Sequence, residues 1–146
     1  MNNSIDGILE DQMNGQFTIK YRFHWCGPCE QFEDTKEETI INSNGKITVR
    51  HFDHHGVNGH YRLVRRAEGI AETDIVKKLY ADLFKVLEHR KEYSSKAVDA
   101  DAEIALAEPG LKISADAFLT DGKTDCSRLI DEFMSHIDLQ WKAVID

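Results

Sequence analysis

"FTIKYRFHW", residues 17–25, is the stretch on which the fold turns. Phe17, Ile19, Tyr21, Phe23 and Trp25 alternate without error with Thr18, Lys20, Arg22 and His24. A strand points successive side chains to opposite faces, so this period of two gathers the apolar residues on one side and the charges on the other. One buried and one wet face is the habit of antiparallel sheets. Strands inside parallel sheets are covered on both faces and read as continuous apolar runs.

The flanking sequence extends the pattern. Asn-Gly occurs at Asn14-Gly15, Asn44-Gly45 and Asn58-Gly59. Each pair suits the two positive-φ positions of a type I′ hairpin turn. The second joins "ETII" (38–41) to "KITVRHF" (46–52), and the third joins that strand to "HYRLVRR" (60–66). A further hairpin turns at Glu108-Pro109-Gly110, followed by alternating Leu111, Ile113, Ala115, Ala117 and Leu119.

Residues 74–92 have helical spacing, with Ile75, Val76, Leu79, Tyr80, Leu83, Phe84 and Leu87 on one stripe and Thr73 placed as N-cap. Polar residues 93–103 read as a loop. Cys126, Leu129, Ile130, Phe133, Met134 and Ile137 mark a second helix. The expected architecture is a single α+β domain over residues 1–146. Its sheet is largely antiparallel and built from Asn-Gly hairpins, with two amphipathic helices packed on one face.

Composition narrows the function classes. The chain has 146 residues, 41% hydrophobic and 30% charged, a globular mixture long enough for a sizeable core. Its net charge of −8 argues against a chain-wide nucleic-acid surface. The charge is uneven: residues 1–45 hold 8 acids against 3 bases, residues 46–96 hold 7 against 11, and residues 97–146 hold 11 against 4. The first residues have neither a basic n-region nor an apolar h-region, and no run is long enough to span a membrane. A cytoplasmic setting is expected. Three cysteines, an odd count, do not suggest a disulfide framework.

Trp25-Cys26-Gly27-Pro28-Cys29 resembles the active-site pentapeptide of thioredoxins, and "GKITV" (45–49), after fifteen intervening residues, resembles the strand that follows in that family. The resemblance implies a thiol–disulfide oxidoreductase with Cys26 as attacking thiolate and Cys29 as resolving thiol. Other residues pull away from it. The family's fold would bury Lys20 and Arg22, and Lys20 stands where the family carries a buried acid. Pro109, the only proline besides Pro28, is a poor match for the family's cis-proline. "EQFEDTKEETII" has Phe32 alone to bury before Ile40, and Glu30, Glu33 and Asp34 oppose a thiolate.

His24, His51, His54, His55 and His60 cluster around the same region. Cys26, Cys29, His51 and His55 form an alternative tetrahedral zinc set, with His51 and His55 on one strand face. Cys126, on an apolar stripe, reads as a buried inert thiol. "HYRLVRR" with Lys77 and Lys78 makes a basic patch suited to an acidic peptide or a phosphate, although Arg65 and Arg66 should face opposite ways. The chain has no Gly-rich phosphate loop, G-x-S-x-G elbow or H-E-x-x-H pair. Aromatics fall mostly at core-like positions and leave no stacking platform for bases. The leading expectation is a small acidic cytoplasmic binding or regulatory module without catalysis, cofactor or metal. Its partner would be a protein, not nucleic acid or a membrane.

Overall fold

In the computed structural model the segment 17–25 becomes β1 (Thr18–Trp25), an interior strand with neighbours on both sides. The structure describes residues 16–25, 35–55, 60–89, 100–116 and 126–144. Among the described residues the remaining elements are β2 (Thr35–Asn42), β3 (Lys46–His55), β4 (His60–Ile70), α1 (Thr73–Glu88), β5 (Ala100–Glu108), β6 (Leu111–Asp116), α2 (Cys126–Met134) and β7 (Gln140–Ala143). The seven strands form one sheet in the order β6-β5-β1-β2-β3-β4-β7, and every neighbouring pair is antiparallel. The protein is therefore mixed α+β and dominated by its sheet. No described helix is long and apolar enough to cross a membrane.

Directly paired residues share a sheet face, so the register defines the core. Ile19 pairs with Ile41 and Leu106, Tyr21 with Thr39 and Ile104, Ile41 with Ile47, and Val49 with Thr39 and Ala67. All of these are buried. Full burial of one such aliphatic side chain contributes about 1.5–3 kcal/mol. The same hydrophobic cluster takes in Val76, Leu79, Tyr80, Leu83, Val86 and Leu87 of α1 and Cys126, Ile130 and Phe133 of α2. On that side of β1 the Phe17 ring lies 4.3 Å from the Tyr80 ring, and the Tyr21 hydroxyl is 3.0 Å from Ser127 Oγ.

Two turns explain local register. Asn42 O accepts from the Gly45 N–H at 2.9 Å, so Ser43 and Asn44 are the central residues and Gly45 follows at φ +92°. A three-residue connection replaces the two-residue turn expected at Asn44-Gly45. Gly45 also receives the Ala71 N–H on its carbonyl at 2.9 Å. A Cβ at Gly45 would sit 2.2 Å from Ala71 O, so only glycine fits. Between β5 and β6, Glu108 pairs with Leu111 across Pro109-Gly110, and Gly110 has φ +82°. Proline followed by a positive-φ glycine is the type II pattern.

Several boundaries differ from the sequence reading. The N-cap of α1 is Glu72, without a side-chain cap bond, and Thr73 is already helical. Ile75 is 41% exposed because the buried stripe centres on Val76, Leu79, Tyr80 and Leu83, which leaves position 75 at its margin. Ala100 to Glu103, loop-like in composition, begin β5 because they pair with β1. Ile137 lies beyond the end of α2, and β7 has no counterpart among the strands expected from sequence. Asn14-Gly15, Asn58-Gly59, the Cys26–Cys29 motif and residues 90–92 lie outside the described residues.

Candidate functional site

The face of the sheet opposite the core carries its charges in direct register. Arg22 pairs with Glu103 on one side and Glu38 on the other; Glu38 pairs with Arg50, Arg50 with Arg66, and Arg66 with Lys142. One rung of six charged residues thus crosses β5, β1, β2, β3, β4 and β7, about 24 Å at the usual strand spacing. Its first half alternates in sign, and its second half, Arg50–Arg66–Lys142, does not.

Glu38 organises the alternating half. It is only 8% exposed, and its carboxylate lies 3.5 Å from Lys20 Nζ, 3.8 Å from Arg22 and 3.7 Å from Arg50. Lys20 sits one rung away on the same side of β1, so three half-exposed cations converge on one nearly buried acid. Such a carboxylate needs its cations, because an unpaired buried charge is costly.

In the other half, Arg66 pairs with Glu68 on its own strand at 2.8 Å. Lys46 and Lys142 have no ion-pair partner among the described residues. These residues border a groove of about 750 Å³ between the β2–β3 turn and β7, lined by Lys46, Arg66, Glu68, Ile70, Gln140 and Lys142 among others. Ile70 is 83% exposed there.

The core side of the sheet has a second polar group beside the buried cluster. Arg65 Nε donates to His51 Nδ1 at 3.0 Å, and His51 Nε2 is 2.7 Å from Glu37 Oε2. Nδ1 of His51 thus accepts from Arg65 while Nε2 faces the Glu37 carboxylate. The Trp141 ring lies 4.7 Å from the His51 ring and 4.2 Å from the Arg65 guanidinium. Both nitrogens of His51 are therefore occupied by protein groups. A β-bulge places Val64 as the extra residue on β4, where its carbonyl accepts from the Val144 N–H at 3.0 Å and helps seat β7.

Of the residues singled out by sequence, Cys26 and Cys29 lie outside the described residues. His51 is engaged as above, and His55 is placed only by its backbone pairing with His60. Among the described residues no group of three His, Cys, Asp or Glu side chains is arranged to hold a metal. Cys126 is fully buried. Arg65 and Arg66 do take opposite faces, one against Trp141 and one beside Glu68. Sequence reasoning missed Glu38 as a hub and Trp141 as a partner of His51. The available signal for Trp141 was the short alternation Leu139, Trp141, Ala143 against Gln140 and Lys142. No family model matches the chain, and no curated protein matches it.

Proposed function

We propose that this chain is a small cytoplasmic binding module for a protein partner, working without catalysis. In this reading it is one α+β domain whose two helices cover one side of the sheet and whose other side meets the partner. The observation that supports it is the charged rung from Glu103 to Lys142 on an exposed face. Catalysis needs polar groups that converge on one reacting atom. Here the charges spread across the sheet and, around Glu38, satisfy one another. A row of this kind suits recognition of an extended surface.

The test identifies a partner by photo-crosslinking from the exposed face and then titrates the purified partner. Binding should weaken at least ten-fold for Arg50→Glu with Arg66→Glu and stay unchanged for Lys85→Glu on α1. Catalysed disulfide reduction above a small-thiol control, abolished by Cys26→Ser, would instead make the protein an oxidoreductase.

A further inference from the structure

The groove bordered by the cationic half of the rung gives the binding-module reading a specific site, and its assignment rests on that reading. Arg50, Arg66 and Lys142 stand directly opposite one another on three adjacent strands. Like charges in direct register destabilise a sheet. Glu38 relieves Arg50 and Glu68 relieves Arg66, but Lys46 and Lys142 have no ion-pair partner among the described residues. Beside them Ile70 presents an aliphatic side chain at 83% exposure, on the same face as Lys46, with which it pairs across β3 and β4. The groove thus has cationic and apolar surface of its own left to cover.

We propose that this groove docks an acidic segment of a partner protein, with an apolar side chain set on Ile70 and carboxylates meeting Lys46, Arg66 and Lys142. Charge complementarity selects the occupant. A nucleic-acid backbone brings a phosphate at every step, and running on from the groove along the same face it would meet Glu38 and Glu103, which a short segment seated in the groove does not reach. A lipid surface would find Ile70 as the one large apolar side chain among the described residues that line the groove. A peptide that mixes acids with one apolar residue fits both parts of the lining.

The probe is a fluorescein-labelled, glutamate-rich peptide with a central leucine, titrated by anisotropy against the full chain. It should bind, and the same peptide with lysine for glutamate should not. Affinity should fall at least ten-fold for Arg66→Glu with Lys142→Glu, and about three- to ten-fold for Ile70→Ser. It should also fall with added salt. On wild-type protein the amide resonances of Lys46, Ile70, Gln140 and Lys142 should shift during the titration, a readout independent of whether variants fold.

Absence of binding, or binding with no shift at those amides, overturns the proposal. So does displacement of the peptide by inorganic polyphosphate at equal charge concentration, which would mark a generic anion site. A dimer in sedimentation that Ile70→Ser dissolves would assign the groove to a second copy and also overturn it. If the crosslinked partner still depends on Arg50 and Arg66 while the peptide fails, the binding-module reading survives and only the acidic-segment assignment falls.

Discussion

Replacing Glu38 by glutamine keeps the shape of the side chain and removes the charge that three cations share. The three contacts, at 3.5, 3.8 and 3.7 Å, would each be worth about 1.1 kcal/mol in a water-like dielectric. The cations are 40–44% exposed, so screening and side-chain entropy reduce each contact towards the half-kilocalorie typical of exposed pairs. Leaving Lys20, Arg22 and Arg50 close together without their common acid adds repulsion in the opposite direction. The balance is a loss of about 2 kcal/mol, or roughly 6 °C in Tm for a domain of this size. Urea and thermal unfolding followed by circular dichroism measure it at low salt. The deficit should shrink by more than half in 1 M NaCl, where the Debye length is about 3 Å. A loss under 0.5 kcal/mol at low salt, or a deficit indifferent to salt, would refute the view that Glu38 holds this face together by charge.

Gly45→Ala should cost on the order of 2–4 kcal/mol in urea unfolding, because φ is +92° and the new Cβ would collide with Ala71 O; a change under 1 kcal/mol would contradict that contact. Tyr80 donates to Glu108 Oε2 at 2.9 Å, and burial, then that hydrogen bond and the carboxylate's charge, raise its phenol pKa. The unfolded tyrosine ionises near pH 10 while the folded one stays protonated, so this contribution is complete below pH 10 and lost as pH rises beyond it. Tyr80→Phe should cost about 1–2 kcal/mol at pH 7 and flatten the fall in urea midpoint above pH 10; an unchanged alkaline slope would count against it. Cys26→Ser with Cys29→Ser should leave the circular dichroism spectrum intact and change stability by less than about 0.5 kcal/mol. A larger loss, or protection of both thiols from alkylation without reductant, would point to a disulfide or a metal.

Residues 17–25 told most about the fold because their error-free alternation is a direct statement about faces. A strand that places Lys20 and Arg22 on one side demands a wet face, and in an antiparallel sheet it can have one even in the interior. The same strand leads into the thioredoxin-like pentapeptide, yet Thr35–Asn42 beyond that motif pairs along β1 as a strand. Periodicity served less well at ends and margins. Thr73 is chemically a good N-cap, but the helix begins one residue earlier, and Ile75 fits the spacing while sitting off the centre of the stripe. β7 was hidden because four residues are too few for a period to stand out, and its pairing with Arg65–Glu68 spans more than seventy residues of chain.

The candidate site was legible as residue types and illegible as an arrangement, because its meaning comes from register. Glu38 in "KEETII" is one acid among several until pairing sets it between Arg22 and Arg50. The uneven charge of the sequence acquires a place in the same way. The basic middle segment supplies Arg50 and Arg66, and Lys142 joins them from a segment where acids outnumber bases. From Glu103 to Arg50 the charges alternate in sign, so neighbours cancel and project little field. From Arg50 to Lys142 the chain instead tolerates like charges on adjacent strands while carrying −8 overall. Repulsion of that kind lowers stability wherever the face is bare and is relieved wherever carboxylates cover it. The part of the rung that stabilises the fold least is therefore the part to which the proposed acidic segment is assigned.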